Sequence, residues 1–165
     1  MEIQYLGNKE LLKLHKTAFL ASNTIPIEMV LKCYDWASGK HEGCVISGFS
    51  SKLEKEVLHV QLKSKCPVIL VLARKMYKVI PDELIAALHQ GRLLIISTSK
   101  AIRQSKQTAL ERNRYICEMA DKIFFVGVTS KSSLCQLKQS YMENNDEKKG
   151  GNNSKRARCL SEPFC

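Results

Sequence analysis

The stretch "ALERNRYICEMADKIFFVGVTSKSSL" (109–134) sets Arg112, Asn113 and Arg114 in a row ahead of an apolar run, and then closes that run with a Lys131-Ser132-Ser133 turn. Two guanidiniums, an amide, an ammonium and two hydroxyls form a set suited to an anion. A guanidinium grips phosphate through two parallel N–H bonds, and a helix starting at a serine pair offers free backbone N–H groups. Residues two apart on a helix point to different sides, so only one of Arg112 and Arg114 can lie fully in a shared pocket. The structural alternative pairs Arg112 with Glu111 or Glu118 and leaves Asn113 capping a turn.

The elements that must position these residues follow from the apolar pattern. "TAFLAS" (17–22), "CVISG" (44–48), "PVILVLA" (67–73), "RLLIIS" (92–97) and "KIFFVGV" (122–128) are short, nearly unbroken apolar runs, as strands buried on both faces require. Between them lie amphipathic segments at helical spacing: 25–38, 51–65, 81–91 and 108–120, with a last helix over 133–143 beginning at the Ser-Ser. Strands of this kind alternating with helices predict an α/β fold. It is Rossmann-like and doubly wound, with a mostly parallel sheet of about five strands and helices on both faces. Residues 1–16 read as a leading helix or arm, 17–143 as the domain, and 144–165 as a polar tail too poor in apolar groups to offset its chain entropy.

Ligands of open parallel sheets bind beyond the carboxyl ends of the strands. The loops that reach that edge here are "SNT" (22–24), "SGFSS" (47–51), "ARKMYK" (73–78), "STSKAIRQSKQ" (97–107) and "TSKSS" (129–133), rich in hydroxyls and cations and almost free of carboxylates. The site expected from them comprises Ser22, Asn23, Ser47, Gly48, Arg112, Asn113, Arg114, Lys131, Ser132 and Ser133.

A formal net charge of +10 favours anionic partners: nucleic acid, nucleotides or anionic membranes. No apolar run approaches the roughly 20 residues of a span, and no basic-then-apolar leader stands at the start, so a cytoplasmic chain without a membrane partner is expected. The cysteines, seven in number, form no C-x-x-C pair, and the four histidines share no ligand spacing with them, so no metal and no cofactor is expected. Phosphate-loop and nucleophile-elbow motifs are missing. The carboxylates Glu54, Glu56, Asp82, Glu83, Glu111, Glu118 and Asp121 sit among lysines and read as exposed salt-pair formers. The chain therefore reads as a binding module in preference to an enzyme.

Ser47-Gly48 after the second run, Glu54 in the next helix, the segment from Pro81 to Ser97, and Arg112-Asn113-Arg114-Tyr115-Ile116 before an apolar strand together resemble the DNA-processing protein A (DprA, or Smf) family of the SLOG superfamily. The resemblance spans roughly 17–143. Where that family carries Gly-Ser/Thr-Arg after its first strand, this chain has Ala21-Ser22-Asn23-Thr24. The resemblance implies a Rossmann-like core whose basic strand-end pocket engages single-stranded DNA or a nucleotide, in DNA uptake, transformation and recombination. It also implies a recombinase partner and pairing into a homodimer. A small-nucleotide sensor is the second reading. The sugar-cleaving branch of the superfamily uses a Pro-Gly-Gly-x-Gly-Thr loop, and this chain has none.

Overall fold

The computed structural model describes residues 2–39, 42–147 and 158–160, with side chains through Tyr141. The five apolar runs become strands β2 (Lys16–Ala21), β3 (Cys44–Ser47), β4 (Val68–Leu72), β5 (Leu93–Ser97) and β6 (Lys122–Val126). Two further strands flank them, β1 (Gln4–Gly7) and β7 (Arg158–Leu160). The sheet order is β1-β5-β4-β3-β2-β6-β7. All neighbours run parallel except β1, which lies antiparallel on β5 with Gln4 opposite Ser97 and Gly7 opposite Leu94.

Helices α1 (Ile27–Ser38), α2 (Lys52–Lys63), α3 (Asp82–His89), α4 (Lys106–Met119) and α5 (Cys135–Glu147) connect and cover the strands. The alternation of side chains along each strand divides the core in two. Phe19, Val45, Leu70, Leu93 and Ile95 pack under α1, α2 and α3 through residues such as Cys33, Val57 and Leu84. Ala18, Leu20, Ile46, Leu94, Ile96 and Phe125 pack under α4 and α5 through Ile116, Cys117 and Leu137. Both faces are thereby buried, which is why each strand reads as a continuous apolar run. Trp36 on α1 is stacked on Phe19 (5.4 Å between centroids) and meets Phe124 edge-on at 5.3 Å.

Two boundaries differ from the sequence expectation. Residues 1–16 are not an arm or leading helix: they supply β1, a 3-10 turn at Lys9–Lys13 and the first residue of β2. β1 is exposed along its whole length and buries no side chain, so it leaves no apolar signature. At the other end α5 runs to Glu147, and residues 158–160 of the expected tail pair with β6. The rest of that tail (148–157 and 161–165) lies outside the described residues.

The strand order places the site. From β2 the chain steps outward through β3, β4 and β5, then returns under α4 to lay β6 on the other side of β2. The carboxyl ends of β2 and β6 therefore diverge into their loops at the switch in strand order, where open parallel sheets form a crevice. No helix among the described residues is long and apolar enough to cross a membrane.

Candidate functional site

A cavity of about 530 Å³ opens at that crevice, walled by the end of β2 and its loop (21–24), the loop after β3 and the start of α2 (50–54), Gln104 with the first half of α4 (109–113), and the loop after β6 (129–134). Its floor is organised by a single carboxylate. "Ser51-Lys52-Leu53-Glu54" is a capping box, in which Ser51 Oγ accepts from the Glu54 amide and the Glu54 carboxylate reaches back to the Ser51 amide. The same carboxylate also accepts from the backbone N–H of Ser50 (3.0 Å) and of Ala21 (2.9 Å), so it joins the end of β2 to the start of α2. Glu54 is buried, and not an exposed salt-pair former as its lysine-rich surroundings suggest. Burial pushes its pKa up, against the pull of the three backbone N–H groups and of Arg112.

Arg112 stands opposite. Its side chain is only 3% exposed, and all three guanidinium nitrogens are engaged: Nε donates to Asn113 Oδ1 (3.2 Å), Nη1 to Gln104 Oε1 (3.0 Å) and Nη2 to Ser50 Oγ (3.2 Å). Burial works against its charge and the Glu54 carboxylate works for it. Neither Glu111 nor Glu118 is its partner. The guanidinium fits because position 48 is glycine: a Cβ there would stand 2.5 Å from Arg112 Cζ. Next to it, Phe49 holds a left-handed φ of 47°, which turns the chain sharply out of β3 and brings Ser50 and Ser51 to the cavity.

Of the residues expected at the site, Ser22, Asn23, Arg112, Asn113, Lys131, Ser132 and Ser133 line this cavity. Ser47 and Gly48 do not. Ser47 is fully buried, its Oγ accepting from the Phe49 amide at 3.2 Å, and Gly48 makes room for Arg112. Arg114 is exposed and points away, as the two-residue offset on α4 requires. Ser22 is largely a strut, with its Oγ donating to the Gly127 carbonyl at 2.6 Å. Asn23, Lys131 and Ser133 are exposed on the cavity wall, as are Thr24 and Thr129. Sequence reasoning missed Glu54 and Gln104 as parts of the wall. The Ser-x-x-Glu box was the signal for the first; nothing in the sequence marks the second.

The electrostatics are less one-sided than the loops suggest. Two cations, Arg112 and Lys131, face one acidic residue, Glu54, so the formal charge of the cavity is only +1. It is a pocket of hydroxyls, amides and one embedded guanidinium. No group of His, Cys, Asp or Glu among the described residues could hold a metal ion.

The profile of the DNA recombination-mediator protein A family matches residues 3–146. The chain belongs to that family. Its fold is shared by solved structures, among them two of DNA processing protein A. DNA processing protein A from Streptococcus pneumoniae matches with a TM-score of 0.71 at 18% identity, over 87% of this chain and 52% of that one. The Helicobacter pylori protein, described for its single-stranded DNA binding mode, matches with a TM-score of 0.68 at 17% identity, over 87% of this chain and 68% of that one. The chain thus spans about half the length of the S. pneumoniae protein. Comparison with curated protein sequences gave no match.

Proposed function

We propose that this family member is a non-catalytic DNA-processing module that holds single-stranded DNA by its phosphodiester backbone at the strand-end cavity, in DNA uptake or recombination. The observation that carries the reading is Arg112: a guanidinium kept at the cavity wall by Gln104, Ser50 and the room left at Gly48, with the Lys131 ammonium on the facing loop. Family membership and the single-strand binding of the H. pylori relative support it. Arg112 is the fixed element that selects an anion, Lys131 the adjustable one, and Asn23 and Ser133 supply donors for phosphate or sugar oxygens. Homodimer formation and a recombinase partner belong to the same reading.

The test is fluorescence anisotropy with a labelled oligothymidylate at low salt. Arg112→Ala and Lys131→Ala are each expected to weaken binding roughly 10- to 100-fold, from contacts of about 1.5–3 kcal/mol for a charged donor. Binding by the parent that is unaffected by either change would refute the site. A small-nucleotide sensor is the second reading, favoured by the cavity's volume, which is that of a small-ligand pocket. A thermal-shift response to mononucleotides with none to oligonucleotides would select it.

A further inference from the structure

The cavity holds little of the positive charge on the strand-end edge. Most of it stands on the two loops that follow β4 and β5. Between Ala73 and Ile80, and between Thr98 and Lys106, the chain carries no carboxylate and a run of cations, of which Lys75, Lys78, Lys100, Arg103 and Lys106 concern us. A trough of about 320 Å³ lies between the loops, lined by Lys75, Lys78 and Lys100 with the Ser97 and Ser99 hydroxyls. Carboxylates approach this zone as well, Glu83 near Tyr77 among them. Glu2 pairs with Lys100, both side chains well exposed, and Glu111 accepts from Gln107 Nε2 at 2.9 Å. An anion is already seated against Lys100, then, in the form of the chain's own Glu2 side chain.

The loops are fastened to each other. The Lys75 amide donates to the Ala101 carbonyl at 2.8 Å, Ser97 Oγ to the Arg74 carbonyl at 2.6 Å, and Thr98 Oγ1 to the Leu72 carbonyl at 2.9 Å. At their tips Val79 is 83% exposed and Ile102 69% exposed, two aliphatic side chains set among ammonium and guanidinium groups. Cations spaced along a rim beside exposed apolar faces suit a polymer that alternates phosphates with flat, poorly solvated rings. The loop after β5 also supplies Gln104 to the cavity wall, and Glu111, beside Arg112 on α4, lines a depression that shares Glu2, Ser99 and Lys100 with the trough, while Arg112 lines the cavity. The two zones are therefore adjoining parts of one edge.

We infer that the β4 and β5 end loops form a second contact zone for a nucleic-acid strand, continuing the path from the Arg112 cavity across Lys106 and Arg103 to Lys100, Lys75 and Lys78. The inference rests on the single-strand reading of the cavity. The occupant is one strand long enough to touch both zones, and its phosphates displace Glu2 from Lys100.

The test uses the full chain and oligothymidylates of about 4, 8 and 16 nucleotides, the range of site sizes known for single-strand grooves. In a variant combining Lys75→Ala, Lys78→Ala, Lys100→Ala and Arg103→Ala, affinity for the longest oligonucleotide is expected to fall about tenfold or more. Affinity for the shortest should change less than about twofold, and the salt slope should fall by up to about 3, at roughly 0.7 per phosphate contact. Lys100→Glu with Arg103→Glu, both at exposed positions, serves as a second variant should the first fold poorly. Equal binding of every length by parent and variants overturns the second zone while leaving the cavity intact. An equal loss at every length also overturns it. If the parent binds no oligonucleotide, or if Arg112→Ala binds as the parent does, the cavity reading has failed, and this inference with it. Vesicles containing phosphatidylserine supply the remaining arm. Vesicle binding that the variant loses while it keeps every oligonucleotide assigns the loops to a membrane surface and overturns the proposal.

Discussion

Replacing Gly48 with alanine adds one methyl group at a position whose φ lies outside the left-handed region, so the backbone itself tolerates the change. The methyl would stand 2.5 Å from Arg112 Cζ, 2.6 Å from Nε and 2.7 Å from Nη1. Non-bonded heavy atoms settle near 3.5–4.0 Å, so the guanidinium must retreat by about 1 Å. From starting distances of 3.0 and 3.2 Å, its bonds to Gln104 and Ser50 then exceed hydrogen-bonding range. Each bond to a charged donor is worth about 1.5–3 kcal/mol, part of which water restores at the half-open cavity, for a net cost of about 2–3 kcal/mol. At roughly 2–4 °C per kcal/mol for a chain of this size, Tm should fall by about 4–12 °C. Oligonucleotide affinity should fall together with it. Differential scanning calorimetry on Gly48→Ala, Arg112→Ala and the double variant measures the coupling. With Arg112 truncated the clash is gone, and Gly48→Ala should cost less than about 0.5 kcal/mol, or stabilise slightly by stiffening the unfolded chain. A Gly48→Ala penalty that is the same in both backgrounds would show that the glycine is not there for Arg112.

Arg114→Ala should weaken oligonucleotide binding less than about threefold, because one exposed cation off the cavity contributes only long-range attraction, and anisotropy titration checks this. Glu54 has a folded-state pKa raised above its value of 4.5, so the stability linked to it is complete below that pH and is lost as pH rises through the raised value. The Tm difference between the parent and Glu54→Gln should accordingly shift against the parent as pH rises above the ordinary carboxylate range, as followed by a thermal melt series. Burial pushes the Cys44 thiol up to about 11, and Cys33 and Cys117 are also buried. Mass spectrometry after brief alkylation of the native chain should find Cys66 and Cys135 labelled before these three. Trp36→Ala, which empties the space between Phe19 and Phe124, should cost about 3–5 kcal/mol by denaturant titration.

The parallel core was legible because burial on both faces removes polar residues from a strand, as in "PVILVL" and "RLLII". β1 was not, because "QYLG" faces outward and is recognisable only from its ladder to β5. At the cavity, seven of the ten residues expected from the loops come together. Periodicity limits Arg112 and Arg114 to one occupant without saying which, and the buried state of Glu54 depends on Ala21, thirty-three positions away. Gly48 stood in the right place for a different reason: its missing side chain is used by another residue.

The Glu54 carboxylate holds amides from two separate strand ends, at Ala21 and at Ser50 and Ser51. Loop amides at the rim of a sheet ordinarily open to solvent far more often than the strands beneath them. Here they are tied to one buried carboxyl group, Ala21 to one oxygen and Ser50 and Ser51 to the other, so loosening either strand end breaks a bond beneath the surface. A ligand bound as proposed would meet this part of the edge already made, with the Lys131 loop left to adjust. Capture should then be governed by encounter and by salt, with little conformational entropy left to lose on binding.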